Sequence, residues 1–512
     1  MYPELIEALQ NPAAYPHPVS EPIQVIETHI SWLLLTGEFA YKIKKPVDFG
    51  FLDFTTLEQR KHCCEEELRL NQRLAPDIYQ QVVAICGSAN EPVLDADDEP
   101  FEYAVRMRQF NPDERLDILL RANRFPAEWI DRLAEQIADF HSRIPIVASD
   151  SPWGEPDTIW DVVSDNFLHI GNVLDSADDW QQLQRLSNRT AQQFRALTDL
   201  IRQRKAGGHV RECHGDLHLG NINLFNGELR LFDCIEFNLQ FRWIDTICDL
   251  AFLLMDLEAN GQFRWASRCL NQYLELGGDY EGVQLLNFYK AYRAMVRAKV
   301  AMIGMHKDID EFRHYAALAN RYANRPQPVL YLMNGVSGSG KSTLSDQMIE
   351  QLGIIRIRSD VERKRLFAEL SREGQQLELY GKQMNVHTYN HLLHTSRALL
   401  QAGYSVVVDA TFIRRRSRLS YAEMAHQLRV PMRILSCSCD PQVLEQRLEE
   451  RTRQGGDPSD ADVAIMQSQL ENLQPLGEDE LPYSYTLDSE DPQAVDKLIA
   501  RLRADGLVES TL

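Results

Sequence analysis

The octapeptide Gly335-Val-Ser-Gly-Ser-Gly-Lys-Ser342 constrains this chain more than any other stretch. It follows the apolar run Val329-Leu-Tyr-Leu-Met333 and opens a segment of helical spacing. In that context Gly335-x-x-x-x-Gly340-Lys341-Ser342 predicts a strand, a tight turn and a helix, the P-loop arrangement. Glycines let the backbone aim its N–H groups at phosphate oxygens, at the positive end of a helix. Gly335, Gly338, Ser339, Gly340, Lys341, Ser342 and Thr343 are therefore expected around the phosphates of ATP. Lys341 is expected on the β- and γ-phosphates and the Ser342 hydroxyl on Mg²⁺. Further strands are predicted at 354–358, 405–408 and 432–436. One helix is predicted over 342–352, and a long helical stretch runs on to Leu400. This alternation means an α/β P-loop NTPase domain with a parallel, helix-covered sheet.

A chain of 512 residues exceeds one hydrophobic core, since domains hold roughly 100–200 residues each. The clearest boundary is Arg321-Tyr-Ala-Asn-Arg-Pro-Gln-Pro328, whose two prolines separate a helical stretch from an apolar strand. Domains of 1–322 and 323–512 are expected. The net charge of −21 argues against a nucleic-acid coat or an anionic-membrane binder. The nine cysteines are scattered, without a Cys-x-x-Cys pair, which fits a reduced, cytoplasmic setting. The acidic N-terminus lacks the apolar core of a signal peptide. No apolar run reaches the ~18 residues of a membrane span.

Residues 1–322 read differently. Ile30–Leu35 and Phe39–Lys44 form a predicted hairpin around Thr36-Gly37. Leu57–Leu74 has helical spacing, and two strands flank the acidic turn 95–99. Helices dominate from Trp129, interrupted at 214–237. There His214-Gly-Asp-Leu-His-Leu-Gly-Asn221 is followed, after the Asn226-Gly227 turn, by Asp233. Asp216 and Asn221 have the Asp-x-x-x-x-Asn offset of a kinase catalytic loop. Strand periodicity puts Lys42 and Lys44 on one face. Lys42 is the expected phosphate contact, Lys44 the alternative, and Glu67 the helical partner; a solvated helix charge is the alternative for Glu67, and ordinary turn residues for Asp216 and Asn221. Asp249, His209 and His218 read as structural.

These residues resemble the aminoglycoside phosphotransferase-like kinases, a bacterial branch of the protein-kinase-like fold. Leu133-Ala-Glu-Gln-Ile-Ala-Asp-Phe-His141 is similar to the first large-lobe helix of that family. The resemblance implies an α+β, protein-kinase-like bilobal domain. It also implies Asp216 as catalytic base and Asn221 and Asp233 as Mg²⁺ ligands. The chain departs from the pattern in two places: no glycine-rich loop precedes Lys42, and Cys-Ile-Glu follows Asp233.

Beyond the P-loop, Asp360 is expected as general base or acceptor anchor, and Arg363, one turn on, as a grip for an acidic substrate group. A capping role for Ser359 or Asp360 is the simpler alternative. Asp409, at the end of a buried strand, has the Walker B position and is expected near the metal. Arg447 and Arg451 are expected on a helical lid over the phosphates, continuing into 454–456; exposed Glu–Arg pairs are the alternative. His387, His391 and His394 share a helical face but lack the acidic partner of a zinc hydrolase, so metal binding is not expected. The Asp-x-x-Arg step is similar to that of polynucleotide kinases and zeta-toxin-like kinases. The whole resembles a bacterial two-domain family of phosphotransferase-like and P-loop parts. It implies a bifunctional Mg²⁺-ATP-dependent kinase of small-molecule hydroxyls, with a nucleic-acid end still open for the P-loop half. The alternative is one catalytic domain regulated by a nucleotide-binding P-loop module.

Overall fold

A computed structural model describes residues 3–303, 307–324, 326–454 and 459–508. The chain divides into two units. One runs up to Trp129 and adds Asp139–Asn172 and Ala191–Asp256; the other holds Ile130–Ala138, Val173–Thr190 and the chain from Leu257.

The first unit begins with an antiparallel sheet. Its strands are β1 (Gln24–Glu27), β2 (Ser31–Leu35), β3 (Phe39–Lys44), β4 (Tyr79–Gly87), β5 (Pro92–Leu94) and β6 (Glu102–Arg108), in the order β1-β2-β3-β6-β4-β5. The predicted hairpin is β2–β3, with Leu35 opposite Ala40. Alternation along β3 decides what each face carries. Tyr41 and Ile43 pack with Leu34, Val83 and Ile85. Ala40 packs on the other face with Cys64, Ala75 and Val105, and Lys42 and Lys44 share its parity. The helix Leu57–Asn71 starts at a capping box between Thr56 and Gln59.

Two small antiparallel pairs follow. β7 (Val210–Glu212) pairs with β10 (Trp243–Asp245), and β8 (Ile222–Phe225) with β9 (Glu228–Leu231). Asn226 and Gly227 both have positive φ at the β8–β9 turn, the backbone a two-residue hairpin demands.

In the second unit β11 (Leu330–Asn334), β12 (Ile355–Arg358), β13 (Val406–Asp409), β14 (Met432–Ser438) and β15 (Ser484–Asp488) form a sheet of order β12-β13-β11-β14-β15. Every pairing is parallel. Tyr331, Met333, Val407 and Leu435 are buried in its core with Leu344, Met348 and Leu498. The stretch predicted as helical to Leu400 is two helices, Ser359–Arg372 and Lys382–Gln401. The polar segment Glu373-Gly-Gln-Gln between them offers no apolar residue at helical spacing to hold a continuous helix against the core.

The outer edge of β12 is covered by the helix Phe263–Gly277. Asn271 Nδ2 donates to Ile354 O at 3.0 Å, and Arg356 N–H donates to Asn271 Oδ1 at 2.7 Å. One side-chain amide thus replaces a neighbouring strand. None of the nine cysteines is in a disulfide, and no described helix is long and apolar enough to cross a membrane.

Candidate functional site

In the first unit β3 and the Leu57–Asn71 helix bring Lys42, Lys44 and Glu67 together. Lys42 Nζ donates to Glu67 Oε1 at 2.8 Å and to Asp233 Oδ1 at 2.6 Å. Lys44 Nζ donates to Glu67 Oε2 at 2.8 Å and to the buried Glu236. Geometry therefore separates the two lysines: Lys42 meets the half-exposed Asp233, and Lys44 is sealed in an internal ion pair. Glu67 is fully buried. Burial pushes its carboxyl up, but Lys42 and Lys44 outweigh that and hold it at about 2. Burial alone would lower Lys42; Asp233 and Glu67 reverse the shift and raise it well above the usual lysine range. Asp233 itself has φ of 63°, a left-handed backbone rare outside glycine. Its N–H donates to Tyr79 Oη at 3.3 Å, and the next N–H, of Cys234, donates to Asn71 Oδ1 at 2.8 Å.

The loop 214–221 is held from behind by Asp249. This fully buried carboxylate accepts the N–H of His214 at 3.1 Å and of Gly215 at 2.9 Å, and its Oδ2 lies 3.2 Å from His141 Nε2. At the front Asn221 Nδ2 donates to Asp216 O at 3.0 Å and to Asp216 Oδ2 at 2.9 Å. That orientation turns Asn221 Oδ1 away from Asp216 and leaves it able to accept a metal or a donor. His218 does more than its structural reading implied. Its Nδ1 accepts the Gly220 N–H at 3.1 Å, and its Nε2 lies 3.4 Å from Asp216 Oδ2. With Nδ1 accepting, the neutral ring carries its proton on Nε2, toward Asp216. Asp256 accepts the Leu219 N–H at 2.9 Å. Glu236, His218 and Asp256 are additions to the sequence-derived set. Two of them had a local cue: Glu236 in the Cys-Ile-Glu that follows Asp233, and His218 inside the 214–221 motif.

In the second unit β11 runs through the P-loop into the helix Lys341–Leu352. Gly340 has φ of 83°, and a Cβ there would lie 2.6 Å from Ser489 Cβ, so both backbone and space require glycine. Lys341 is buried and donates to Val336 O at 2.7 Å. Burial lowers its pKa, partly offset by Asp409, Cys437 and Asp360. Ser342 Oγ donates to Asp409 Oδ2 at 2.7 Å. The Gly335 N–H is spent on Thr411 O at 3.0 Å, so this residue shapes the loop from behind. Ser339 is buried, with Oγ 3.5 Å from Lys341 Nζ. Gly338, Gly340, Lys341, Ser342 and Thr343 line a cleft of about 1,330 Å³ together with Asp360, Arg363, Asp409, Arg447 and Arg451.

The Ser359–Arg372 helix has no side-chain cap; Ser359 and Asp360 face the cleft instead. Arg363 is buried beneath Tyr380, its guanidinium 5.6 Å from the ring centre. On the helix Pro441–Gln454, Arg447 donates to Ser489 Oγ at 2.8 Å and reaches Gly338 O at 3.5 Å. Arg451 donates to Ala461 O. Arg453 pairs with Glu449 on the exposed face. The helix therefore carries both expected features, cleft arginines on one side and a surface ion pair on the other. The lid residues 455 and 456 lie outside the described residues. His391 is bonded to Glu362 Oε2 at 3.1 Å. Among the described residues, His141, Cys213 and Asp249 form the one group of three potential ligands within 4.8 Å, and the 387–394 histidines form none.

Glu275, on the Phe263–Gly277 helix, reaches this site through two arginines of β12. It accepts from Arg356 Nη2 at 3.0 Å and from Arg358 Nη1 at 2.8 Å. Arg358 Nε in turn lies 3.8 Å from Asp409 Oδ2.

Comparison with known proteins agrees with this layout. The model of the phosphotransferase enzyme family matches residues 64–286, and that of the AAA domain matches residues 330–476. The uncharacterized protein Rv2004c of Mycobacterium tuberculosis is 32% identical over 464 residues, 88% of this chain and 90% of its own length. The uncharacterized protein Mb2027c of Mycobacterium bovis matches to the same extent. The chain belongs to this family, a phosphotransferase domain followed by a P-loop kinase-like domain. As a member of it the protein is an enzyme of the kinase class. Among solved structures, a sugar kinase from Janibacter sp. HTCC2649 shares 22% identity over 36% of this chain and 99% of its own, with a TM-score of 0.28. A gluconokinase from Sinorhizobium meliloti 1021 shares 23% over 35% and 94%, with a TM-score of 0.27.

Proposed function

We propose that the protein is a bifunctional Mg²⁺- and ATP-dependent phosphotransferase, with one small-molecule hydroxyl acceptor for residues 1–322 and another for residues 323–512. One observation carries this reading. Each unit holds its own buried lysine and a carboxylate able to take a metal: Lys42 bonded to Asp233, and Lys341 lining one cleft with Asp409. The donors fit magnesium, which prefers oxygen ligands. They are Asn221 Oδ1 with Asp233 in one site, and Ser342 Oγ with Asp409 in the other. When bound, the metal neutralises charge on the phosphates and orients them.

In the first site Asp216 takes the proton of the acceptor hydroxyl as its oxygen bonds to the γ-phosphorus, while the bond from that phosphorus to its bridging oxygen breaks. Asn221 orients Asp216 by its hydrogen bond. His218 supplies a second donor at the same carboxylate. Lys42, aligned by Glu67, supplies positive charge to the phosphates. In the second site Asp360 takes the equivalent proton, Arg363 anchors the acceptor, and Lys341, Arg447 and Arg451 bear on the phosphates. The scattered cysteines, without a Cys-x-x-Cys pair, support a reducing, cytoplasmic location.

The test is transfer of labelled γ-phosphate from ATP to a metabolite extract. Asp216→Asn should remove one set of labelled products and Lys341→Ala the other. If each variant leaves every product unchanged, the reading fails. In a second reading the P-loop module binds nucleotide and regulates the other half. It predicts that Lys341→Ala alters the rate of the Asp216-dependent activity and removes no product.

A further inference from the structure

The run Arg414-Arg-Arg-Ser-Arg418 has no part in the site as described so far, and its members divide cleanly. Arg415 is tied to Asp479 at 2.9 Å. Arg418 is fully buried and bonded to Glu480 at 2.7 and 2.8 Å. These two fasten their helix to the segment 479–480. Arg414 and Arg416 instead line the P-loop cleft, as does Lys382. None of these three cations has a carboxylate within 4.0 Å among the described residues, whereas the cleft's acids are mostly engaged. Asp460 holds Lys364 at 2.9 Å, Asp491 holds Lys497 at 2.5 Å, and Glu490 accepts the Asp440 N–H at 2.8 Å. Asp360 and Asp409, the proposed base and metal ligand, are left on the wall.

Arg363 adds a donor that the protein does not satisfy. It is 7% exposed, lines the same cleft, and its Nε has no hydrogen-bond partner. A buried N–H of this kind requires an acceptor. Tyr389 links the two groups of cations. Its Oη lies 3.5 Å from Thr411 Oγ1, on the loop leading to Arg414, and it lines the same cleft as Arg363 and Asp360. A cleft of about 1,330 Å³ exceeds the roughly 300–1,000 Å³ of a one-ligand pocket, so an acceptor has room beside the nucleotide.

We propose that the acceptor of the P-loop half is a phosphorylated small molecule, its phosphate held by Arg414, Arg416, Lys382 and the free edge of Arg363. This rests on the reading of that half as an ATP-dependent kinase and specifies its substrate class. Arginine forks match phosphate oxygens in pairs, and several unpaired cations exceed what one carboxylate would neutralise. The net charge of −21 favours a small anion over a polymer, because a polyanion would be repelled beyond the cleft.

The experiment is calorimetric titration of the full chain saturated with Mg·ADP. The probes are ribose, gluconate, ribose 5-phosphate, fructose 1,6-bisphosphate and a 3′-phosphorylated oligonucleotide. The phosphorylated sugars should bind at least about tenfold more tightly than ribose or gluconate, and more weakly as salt rises. The double substitution Arg414→Ala/Arg416→Ala should weaken them by about tenfold or more while Mg·ADP binding is unchanged. The proposal is overturned if neither sugar phosphate binds better than the unphosphorylated probes. Wild-type affinity in the double variant, or preference for the oligonucleotide, also overturns it. Mg·ADP stoichiometry in Lys341→Ala tests the underlying reading separately. An unchanged stoichiometry sinks that reading. Loss of one equivalent without phosphate-dependent sugar binding sinks only the substrate class.

Discussion

Lys42 Nζ sits 2.6 Å from Asp233 Oδ1, so the proposed phosphate contact and the proposed metal ligand neutralise each other across the first site. Mg·ATP has to compete with that bond, and the two lysines should respond differently to replacement. Lys42→Met should lower the Asp216-dependent activity by about 10²–10³-fold, with thermal unfolding little changed. Lys44→Met strands the buried carboxylate of Glu236, while Glu67 keeps Lys42, and should cost about 3–5 kcal/mol of stability. Steady-state kinetics and denaturant melts of both variants check this. A kinetic loss confined to Lys44→Met would exchange their roles.

Asp216→Asn removes the proposed base but keeps a group able to hydrogen-bond Asn221. The activity of the first half should fall by about 10²–10⁴-fold, while phosphate transfer dependent on Lys341 persists. Product-resolved assays with labelled ATP distinguish the two losses.

Acid should weaken the first unit through Glu67. Its folded pKa, about 2, lies below the ordinary value of 4.5. The stabilisation is therefore fully present above about pH 4.5 and is lost as pH falls toward 2. Glu67→Gln should flatten that part of the stability–pH curve, measured by urea melts between pH 2 and 6. A wild-type slope in the variant would contradict the assignment.

Glu275 should set the charge beside Asp409. Replacing Glu275 by Gln keeps the shape but frees Arg358 to draw closer to the proposed metal ligand. The expected result is a several-fold higher Mg²⁺ requirement for the Lys341-dependent activity, consistent with one altered charge pair at partial exposure. The Asp216-dependent activity should keep its own Mg²⁺ requirement. Magnesium titrations of both activities read this out.

The legible parts of the site are those set by local spacing. Asp216 and Asn221 stand five residues apart, and Asp233 follows one short hairpin, so one motif brings the three near one another. Strand parity likewise put Lys42 and Lys44 on one face. Parity could not say which lysine meets Asp233, because Glu236 takes Lys44 across 192 residues of sequence separation. The bonds from Glu275 to Arg356 and Arg358 are equally non-local, and neither end carries a motif. β15 escaped notice for another reason: Ser484-Tyr-Thr-Leu-Asp488 is a short edge strand with one buried side chain, too little apolar content to announce itself. Arg414 and Arg416 were hidden within a run whose other arginines are structural, a division that only the positions of Asp479 and Glu480 reveal.

Asn271 has a practical consequence for dissecting this enzyme. A fragment beginning at the proline-rich linker would bare the backbone rim of β12 and leave Arg356 and Arg358 without their shared counter-charge. Such a rim invites intermolecular pairing and insolubility. Anyone wishing to express the nucleotide-binding C-terminal part alone should start upstream of Phe263 and carry that helix along as a built-in chaperone.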